Sequence, residues 1–365
     1  MKKIGVGIIG CGGITLQNHL PGLALCPGVS VTALCDADPK TLEKAQSSVS
    51  GAKTFTDYRE VVTHKDVDAV IIATPNFVHA PIAMAAISAG KHVFCEKPIA
   101  MNFGEAVMMY KAAEQARVRH MTAFTYRFVP AMRYMKHLIQ KGEIGTPWHF
   151  RSCRLQDWGT RSVGWRQVAK MAGSGELGDM LSHRIDYAHL LIGPMSRIVA
   201  HTQRIHNVRD GQPNDLEDWV VIVGDFTNGA VGVLESSKMA TGRGEGAKSQ
   251  DYVEVNGSEG SIVFQLEQPT FLQIAKKGES KLEVVPVPTE FLTVKGSPRD
   301  PNAGEAVITF RYDQNFEFID AIRSNRPCSP SFYDGALAQG VIDAALTSAK
   351  ERRWIDVTNL QKQLA

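Results

Sequence analysis

The sequence predicts an α/β domain built on a doubly wound parallel sheet, followed by an α+β domain. Three observations predict it. Through the first third of the chain, short apolar runs of strand character alternate with helix-compatible stretches. A glycine-rich turn follows directly on the first of those runs. Farther on, alternating strands come in pairs around hairpin signals, and helices return only towards the end. The 365 residues suffice for two domains, and the boundary is placed at 1–125 and 126–365.

The first apolar run, 4–9, reads as a buried parallel strand. Gly10-Cys11-Gly12-Gly13-Ile14-Thr15 comes next and opens a helical stretch reaching residue 25. It matches the first two glycines of G-x-G-x-x-G, with Thr15 at the third position. Gly10 permits a tight turn, and Gly12 lets backbone approach a pyrophosphate at the helix N-terminus. Residues 29–34 are a second strand, ending at Cys35-Asp36. An acid there receives the adenosine ribose hydroxyls and repels a 2′-phosphate, so NAD is expected over NADP. Two features weigh against this: Asp36 could instead cap a helix over 40–47, and Lys40 leaves NADP open.

A third strand, 69–73, stops at Thr74-Pro75-Asn76. A helix over 81–89 is closed by Gly90, and a strand over 92–95 ends in Glu96-Lys97-Pro98. A helix over 103–116 and a strand over 120–124 complete the alternation. Ligands of such sheets bind beyond the carboxyl ends of the strands. That edge collects the glycine turn, Asp36, Thr74 to Asn76, Glu96 to Pro98 and Tyr126-Arg127. Lys97, straight after an apolar strand, is placed to hydrogen-bond a reacting oxygen, although most lysines are solvated surface groups.

In the second domain, residues 173–186 form a glycine-interrupted turn leading into a helix. Asp179 and His183 stand four residues apart, on one face of a regular helix. A carboxylate beside an imidazole fixes its tautomer and raises its basicity; the plainer reading is an exposed Asp–His pair. Residues 148–154 alternate, with Trp148, Phe150 and Ser152 on one side. Hairpins are expected at Thr227-Asn228-Gly229 and at 257–260, and late helices at 313–324 and 334–350. Polar loops fall at 236–250 and 290–304.

Taken together, the Gly10 to Ile14 turn, Ala73-Thr74-Pro75-Asn76 with His79, Glu96-Lys97-Pro98 and Gly173 to Asp186 resemble the Gfo/Idh/MocA oxidoreductase family. That resemblance implies a Rossmann domain followed by an open, mostly antiparallel sheet, one face of which commonly joins subunits into a homodimer, homotetramer or larger homo-oligomer. It also implies that Lys97, Asp179 and His183 form the catalytic group. Gly10, Gly12, Gly13, Ile14, Asp36, Thr74, Pro75, Asn76, His79, Glu96, Lys97, Trp165 and Arg166 would line the cofactor. The family usually has consecutive glycines before its catalytic helix, and Ser174 interrupts them here.

The activity implied is hydride transfer between NAD and a secondary hydroxyl of a sugar, glycoside or inositol-like polyol, with C3 of a glycoside one such position. Histidine suits the proton step because its ordinary pKa lies at about 6.5. A polyol needs a polar partner for each buried hydroxyl. Candidates are Lys97, Tyr126, Arg127, Gln156, Asp157, Trp158, Asp179 and His183, with Arg166 and Asp186 nearby. Trp158 offers a flat face to a sugar ring, unless it and Trp165 are core or interface aromatics. His19 and His189 read as packing residues. Two other functions stay open: a glycosidase that uses NAD transiently, and a sugar- or nucleotide-sensing protein without catalysis. A sensor has no need of an acid–base set.

Composition narrows the rest. A net charge of +2 supplies no basic field for nucleic acid. Six cysteines are scattered without a CxxC pair, so no metal site or redox dithiol is expected; Cys11, Cys35 and Cys95, in or beside apolar runs, read as small buried residues, and the usage suits a reducing compartment. Asp179, His183 and Asp186 mimic ligand spacing, but no second histidine cluster completes a site. The apolar run after Lys2-Lys3 is interrupted by Gly10-Cys11-Gly12-Gly13 and lacks the small-residue cleavage pattern of a signal sequence, and no apolar stretch reaches bilayer length. A cytoplasmic protein is the expectation.

Overall fold

The computed structural model describes residues 3–246 and 249–365. The chain divides into two compact units. The first takes the residues up to Thr125 together with Val294–Ala303 and Thr309–Ala336. The second takes Tyr126–Thr293, Gly304–Ile308 and Leu337–Ala365.

In the first unit six parallel strands form one sheet: β1 Ile4–Ile9, β2 Val29–Cys35, β3 Lys53–Phe55, β4 Ala69–Ile72, β5 His92–Cys95 and β6 His120–Thr122. Their spatial order is β3-β2-β1-β4-β5-β6, so the order reverses between β1 and β4. Ligands of doubly wound sheets bind at that switch point. All six residues of β1 are buried, as its unbroken apolar run requires. Gly5 sits where a Cβ would lie 1.9 Å from the Asp66 carbonyl oxygen, so the strand accepts glycine although glycine disfavours strands. Asn102 caps the helix Phe103–Ala116 by accepting from the Glu105 N–H. Helix Asp313–Arg323 belongs to this unit.

The second unit is a nine-stranded sheet. Its strands are β7 Pro147–Leu155, β8 Met195–Gln203, β11 Trp219–Phe226, β12 Val231–Ser237, β13 Gln250–Gly257, β14 Gly260–Gln265, β15 Phe271–Lys276, β16 Glu283–Pro286 and β17 Ile355–Asp356. A separate two-stranded ladder joins β9 Val208–Arg209 to β10 Gln212–Pro213. The order is β16-β15-β14-β13-β7-β12-β11-β8-β17. Among the described residues β7–β12 is parallel and the other pairings of this sheet are antiparallel. Both expected hairpins are present, β11–β12 around Gly229 and β13–β14 around Ser258-Glu259.

One face of this sheet is the core, with Phe150, Val220, Ile222, Leu234, Val253 and Val255 fully buried. Helices Pro130–Gln140 and Ser182–Leu191 lie against the sheet. Trp148 shares the side of Phe150 but is 56% exposed, because it lies near the end of the strand, past the covered area. The opposite face leaves Val223 and Val231 exposed. In the 236–250 loop, Ala247 and Lys248 lie outside the described residues. All six cysteines are buried thiols, and burial pushes Cys11, Cys26, Cys35 and Cys328 up to about 12. No helix among the described residues is long and apolar enough to cross a membrane.

Candidate active site

In the first unit, β1 ends at Gly10 with φ +94°, and a Cβ there would lie 2.4 Å from the Ala73 carbonyl oxygen. No side chain fits. The segment after the turn is a π-helical turn, Thr15–His19, that passes into α-helix Leu20–Ala24. The Thr15 hydroxyl, fully buried, donates to the Gly10 carbonyl at 2.6 Å. Threonine therefore replaces the third glycine with a hydrogen bond that ties the turn. At Gly12 and Gly13 an added Cβ meets nothing within 4 Å. The protein itself does not require glycine there; a pyrophosphate close to the backbone does. These residues fit a dinucleotide, with Ile14 at the start of the π turn.

Asp36 accepts from the Cys11 N–H at 2.7 Å and the Asp38 N–H at 2.9 Å. Capping of helix Pro39–Gln46 falls to Asp38, whose carboxylate accepts from Lys40 and Thr41. Asp36 is thus held at the glycine turn, with further acceptor capacity on its carboxylate. At the end of β4 the Thr74 hydroxyl is buried with no protein partner, a polar atom suited to a ligand. Pro75 and buried Asn76 follow at a 3₁₀ turn. The Asn18 side-chain amide, beside the glycine turn in sequence, is also buried and unpartnered in the protein, a feature the sequence did not flag.

His79 and Glu96, both expected at the cofactor, make hydrogen bonds within the protein. His79 is 1% exposed, with its ring nitrogens 2.9 Å from the Pro98 carbonyl oxygen and 3.0 Å from that of Thr74. It ties two loops and has no nitrogen to offer a ligand; burial holds it below its ordinary pKa. Glu96 is engaged by His19, whose Nε2 is 3.1 Å from Oε1. The His19 Nδ1 is 3.1 Å from Asn315 Oδ1, and the Asn315 amide donates to the Asn18 carbonyl. His19 is therefore a hydrogen-bonded strut beneath the Lys97 loop and not a packing residue. Burial opposes ionisation of Glu96, but the His19 hydrogen bond and the charges of His19, Lys97 and His79 hold it below the usual range.

In the second unit, Gly173 turns the chain at φ +80°. A Cβ on Gly175 would lie 2.2 Å from the Glu217 carbonyl oxygen. The Glu217 carboxylate accepts from the N–H groups of Gly175 and Leu177 at 2.7 and 3.0 Å, capping the segment from outside it. Asp179 stands on a π-helical turn, Leu177–Leu181, and His183 on the α-helix Ser182–Leu191 that follows. The regular helix expected across both residues is widened by that π turn, a device frequent at functional sites.

His183 is 3% exposed, and the ring of Tyr126 meets it edge-on with centroids 4.6 Å apart. Arg166 lies 3.9 Å from the Asp179 carboxylate and 4.4 Å over the ring of Trp165. Gln156 is buried, its Oε1 without a protein partner.

Two residues expected as sugar contacts carry hydrogen bonds within the protein. The Arg127 Nε donates to both Asp186 oxygens at 3.1 and 2.8 Å, and Nη2 adds 2.5 Å, which ties a 3₁₀ turn to the helix Ser182–Leu191. Asp157 is exposed and accepts from the Gly242 N–H, anchoring a loop. Trp158 presents something other than a bare face: Lys238 and Arg161 lie 5.2 and 5.7 Å from its ring centroid. Its Nε1 is buried with no protein partner.

Beneath this helix lies a charge cluster the sequence did not signal. Asp251 sits between Arg154 and Arg184, each at 3.0 Å, and all three are buried. Glu176 is fully buried, accepts from the Ser236 hydroxyl at 2.6 Å and lies 3.7 Å from Lys238 Nζ. Burial pushes Glu176 up to about 7, against the pull of Lys238 and with a push from Asp179. The folded state therefore holds a proton there that the unfolded chain releases near pH 4.5. The Glu176 contribution to stability is full below that pH and is lost as pH rises towards about 7. Denaturant unfolding at pH 5 and pH 8 should show wild type losing stability relative to Glu176→Gln; a constant difference would refute this.

A glycine turn at the switch point of a doubly wound sheet, beside an anchored second-strand acid, defines a dinucleotide-binding protein. Residues 4–124 match the oxidoreductase family with an NAD-binding Rossmann fold, GFO/IDH/MocA, and residues 132–263 match the C-terminal domain of the same family. The chain belongs to the Gfo/Idh/MocA oxidoreductase family. Levoglucosan dehydrogenase of Pseudarthrobacter phenanthrenivorans is 33% identical, over 99% of this chain and all of that protein. Myo-inositol 2-dehydrogenase of Thermotoga maritima is 25% identical, over 96% of this chain and 97% of that one. A solved structure of levoglucosan dehydrogenase with NADH and levoglucosan matches with a TM-score of 0.90 and 33% identity, over 98% of this chain and 100% of that chain.

Proposed function

We propose that this protein is an NAD-dependent dehydrogenase that oxidises a secondary hydroxyl on a ring sugar, glycoside or inositol-like polyol. The reading is carried by likeness over nearly its whole length to a sugar dehydrogenase whose structure holds NADH and levoglucosan. NAD, when bound, supplies the hydride acceptor. His183 takes the hydroxyl proton as the carbinol C–H bond breaks, Asp179 orients its ring and favours its cationic form, and Lys97 donates to the oxygen as it gains alkoxide character. Tyr126 fixes the ring plane of His183. Asp36 selects NAD by repelling a 2′-phosphate. Gln156 and Trp158, with buried polar atoms lacking protein partners, are the sugar-side contacts we favour. The carbon we favour is C3 of a glycoside. The exposed Val223 and Val231 support a homo-oligomer through the outer sheet face.

The test is NADH absorbance on mixing the protein with NAD and a panel of anhydrosugars, aryl glycosides, free sugars and inositols, repeated with NADP. A rise with one class, at least tenfold greater in kcat/KM with NAD, is the expected result, and product analysis identifies the carbon. Tightly bound NAD without net turnover would favour a recycled cofactor, as in a redox glycosidase. No activity and no bound cofactor would sink the reading. A solution mass at the 39.9 kDa of one chain would remove the oligomer.

A further inference from the structure

Lys238 is a lysine with 2% exposure, placed directly after the end of β12. Its carbonyl accepts from the N–H groups of Trp158 and Gly159, at 3.1 and 2.8 Å. Its ammonium lies 5.2 Å from the centroid of the Trp158 ring and 3.7 Å from Glu176 Oε2. A Cβ on Gly159 would lie 2.8 Å from the Lys238 carbonyl oxygen and 2.9 Å from its Cγ, so glycine allows the strand-end turn to close onto this lysine. One residue thus grips the Trp158 turn by backbone and by side chain. A buried ammonium is costly unless it is paired, and the Glu176 carboxyl faces it at 3.7 Å from the segment that carries Asp179 three residues later, a counter-charge that is complete only above about pH 7. A desolvated cation over an indole is strongly oriented by the ring quadrupole.

We propose that Lys238 is a positioning residue that acts through Trp158: it fixes the indole so that the buried Nε1 meets a sugar hydroxyl, with Glu176 as its brace. The proposal rests on the reading of Trp158 as a sugar contact made above. It makes Lys238 a determinant of sugar affinity and not of the proton or hydride steps.

The test is a double-mutant cycle of Lys238→Met and Trp158→Ala, read as separate kcat and KM values for sugar and NAD. Lys238→Met should raise the sugar KM about tenfold or more, with kcat and the NAD KM changed less than about twofold. Lys238→Arg, which keeps the cation, should recover part of that loss. In the Trp158→Ala background Lys238→Met should have little further effect. Equal effects in both backgrounds, or a fall in kcat alone, would overturn the proposal. A Trp158→Ala variant with unchanged sugar KM would instead remove the sugar-contact reading beneath it. Should Lys238→Met fail to fold, Glu176→Gln takes its place in the cycle, with the same non-additivity expected and additive effects again refuting the idea.

Discussion

His183→Ala should lower kcat for sugar oxidation by about two to four orders of magnitude, the usual worth of a positioned acid–base group. NAD affinity should be unchanged, because the residues expected to hold the cofactor, the glycine turn and Asp36 among them, do not include His183. The residue is 3% exposed and closely faced by Tyr126, so His183→Asn should be made beside it to preserve volume. Stopped-flow NADH formation and calorimetric NAD binding separate chemistry from cofactor affinity. A variant that retains more than about a tenth of wild-type kcat would require another base. Loss of NAD binding together with activity would show a folding defect instead.

The largest effect on stability is expected at Asp251. Its carboxylate is the counter-charge to two arginines, Arg154 at 1% and Arg184 at 0% exposure. Asp251→Ala leaves both guanidinium groups buried against Tyr126 and Tyr187 with no carboxylate between them. Breaking a buried pair in this way costs about 3–5 kcal/mol, a large share of the roughly 5–15 kcal/mol that keeps a domain folded. Denaturant unfolding followed by circular dichroism should show the transition moved to much lower denaturant, or soluble protein lost altogether. Replacing all three residues with apolar ones of similar volume should cost far less, since the desolvation penalty goes with the charges. If Asp251→Ala proves as stable as wild type, the trio is not the anchor its burial implies.

Much of this was legible where the deciding information is local. The unbroken apolar run of β1 and the Asn-Gly hairpin after β11 lie within a few residues of themselves. What stayed hidden depends on partners far along the chain. Arg127 and Asp186 are 59 residues apart, and each alone looks like a free polar group for a sugar. The His19 strut needs Asn315, 296 residues away. The π turn at Asp179 accompanies Gly175 closing on Glu217, from 42 residues downstream, which no periodicity encodes. β3 is three residues long and partly exposed, so it has no apolar run to announce it. β8 spans nine residues, but Arg197 and His201 interrupt its apolar signal, because they stand on the less covered face. Lys238 and Asp251 are ordinary surface-type residues in composition, and only the fold buries them.

The strand at the middle of the second sheet has an awkward birth. β7 pairs with β12 on one side and β13 on the other, partners that begin at residues 231 and 250. β7 itself ends at Leu155. During synthesis at roughly 5–20 residues per second, β7 leaves the ribosome several seconds before either neighbour exists. For that interval a strand with both edges bare must avoid pairing with other nascent chains. The hairpins β11–β12 and β13–β14 are local contacts, whereas the pairings of β7 with β12 and β13 span long stretches of chain whose closure is slower to achieve. Strand order thus leaves β7 bare on both edges until its neighbours at 231–237 and 250–257 are made, an exposure that leaves no trace in the finished enzyme.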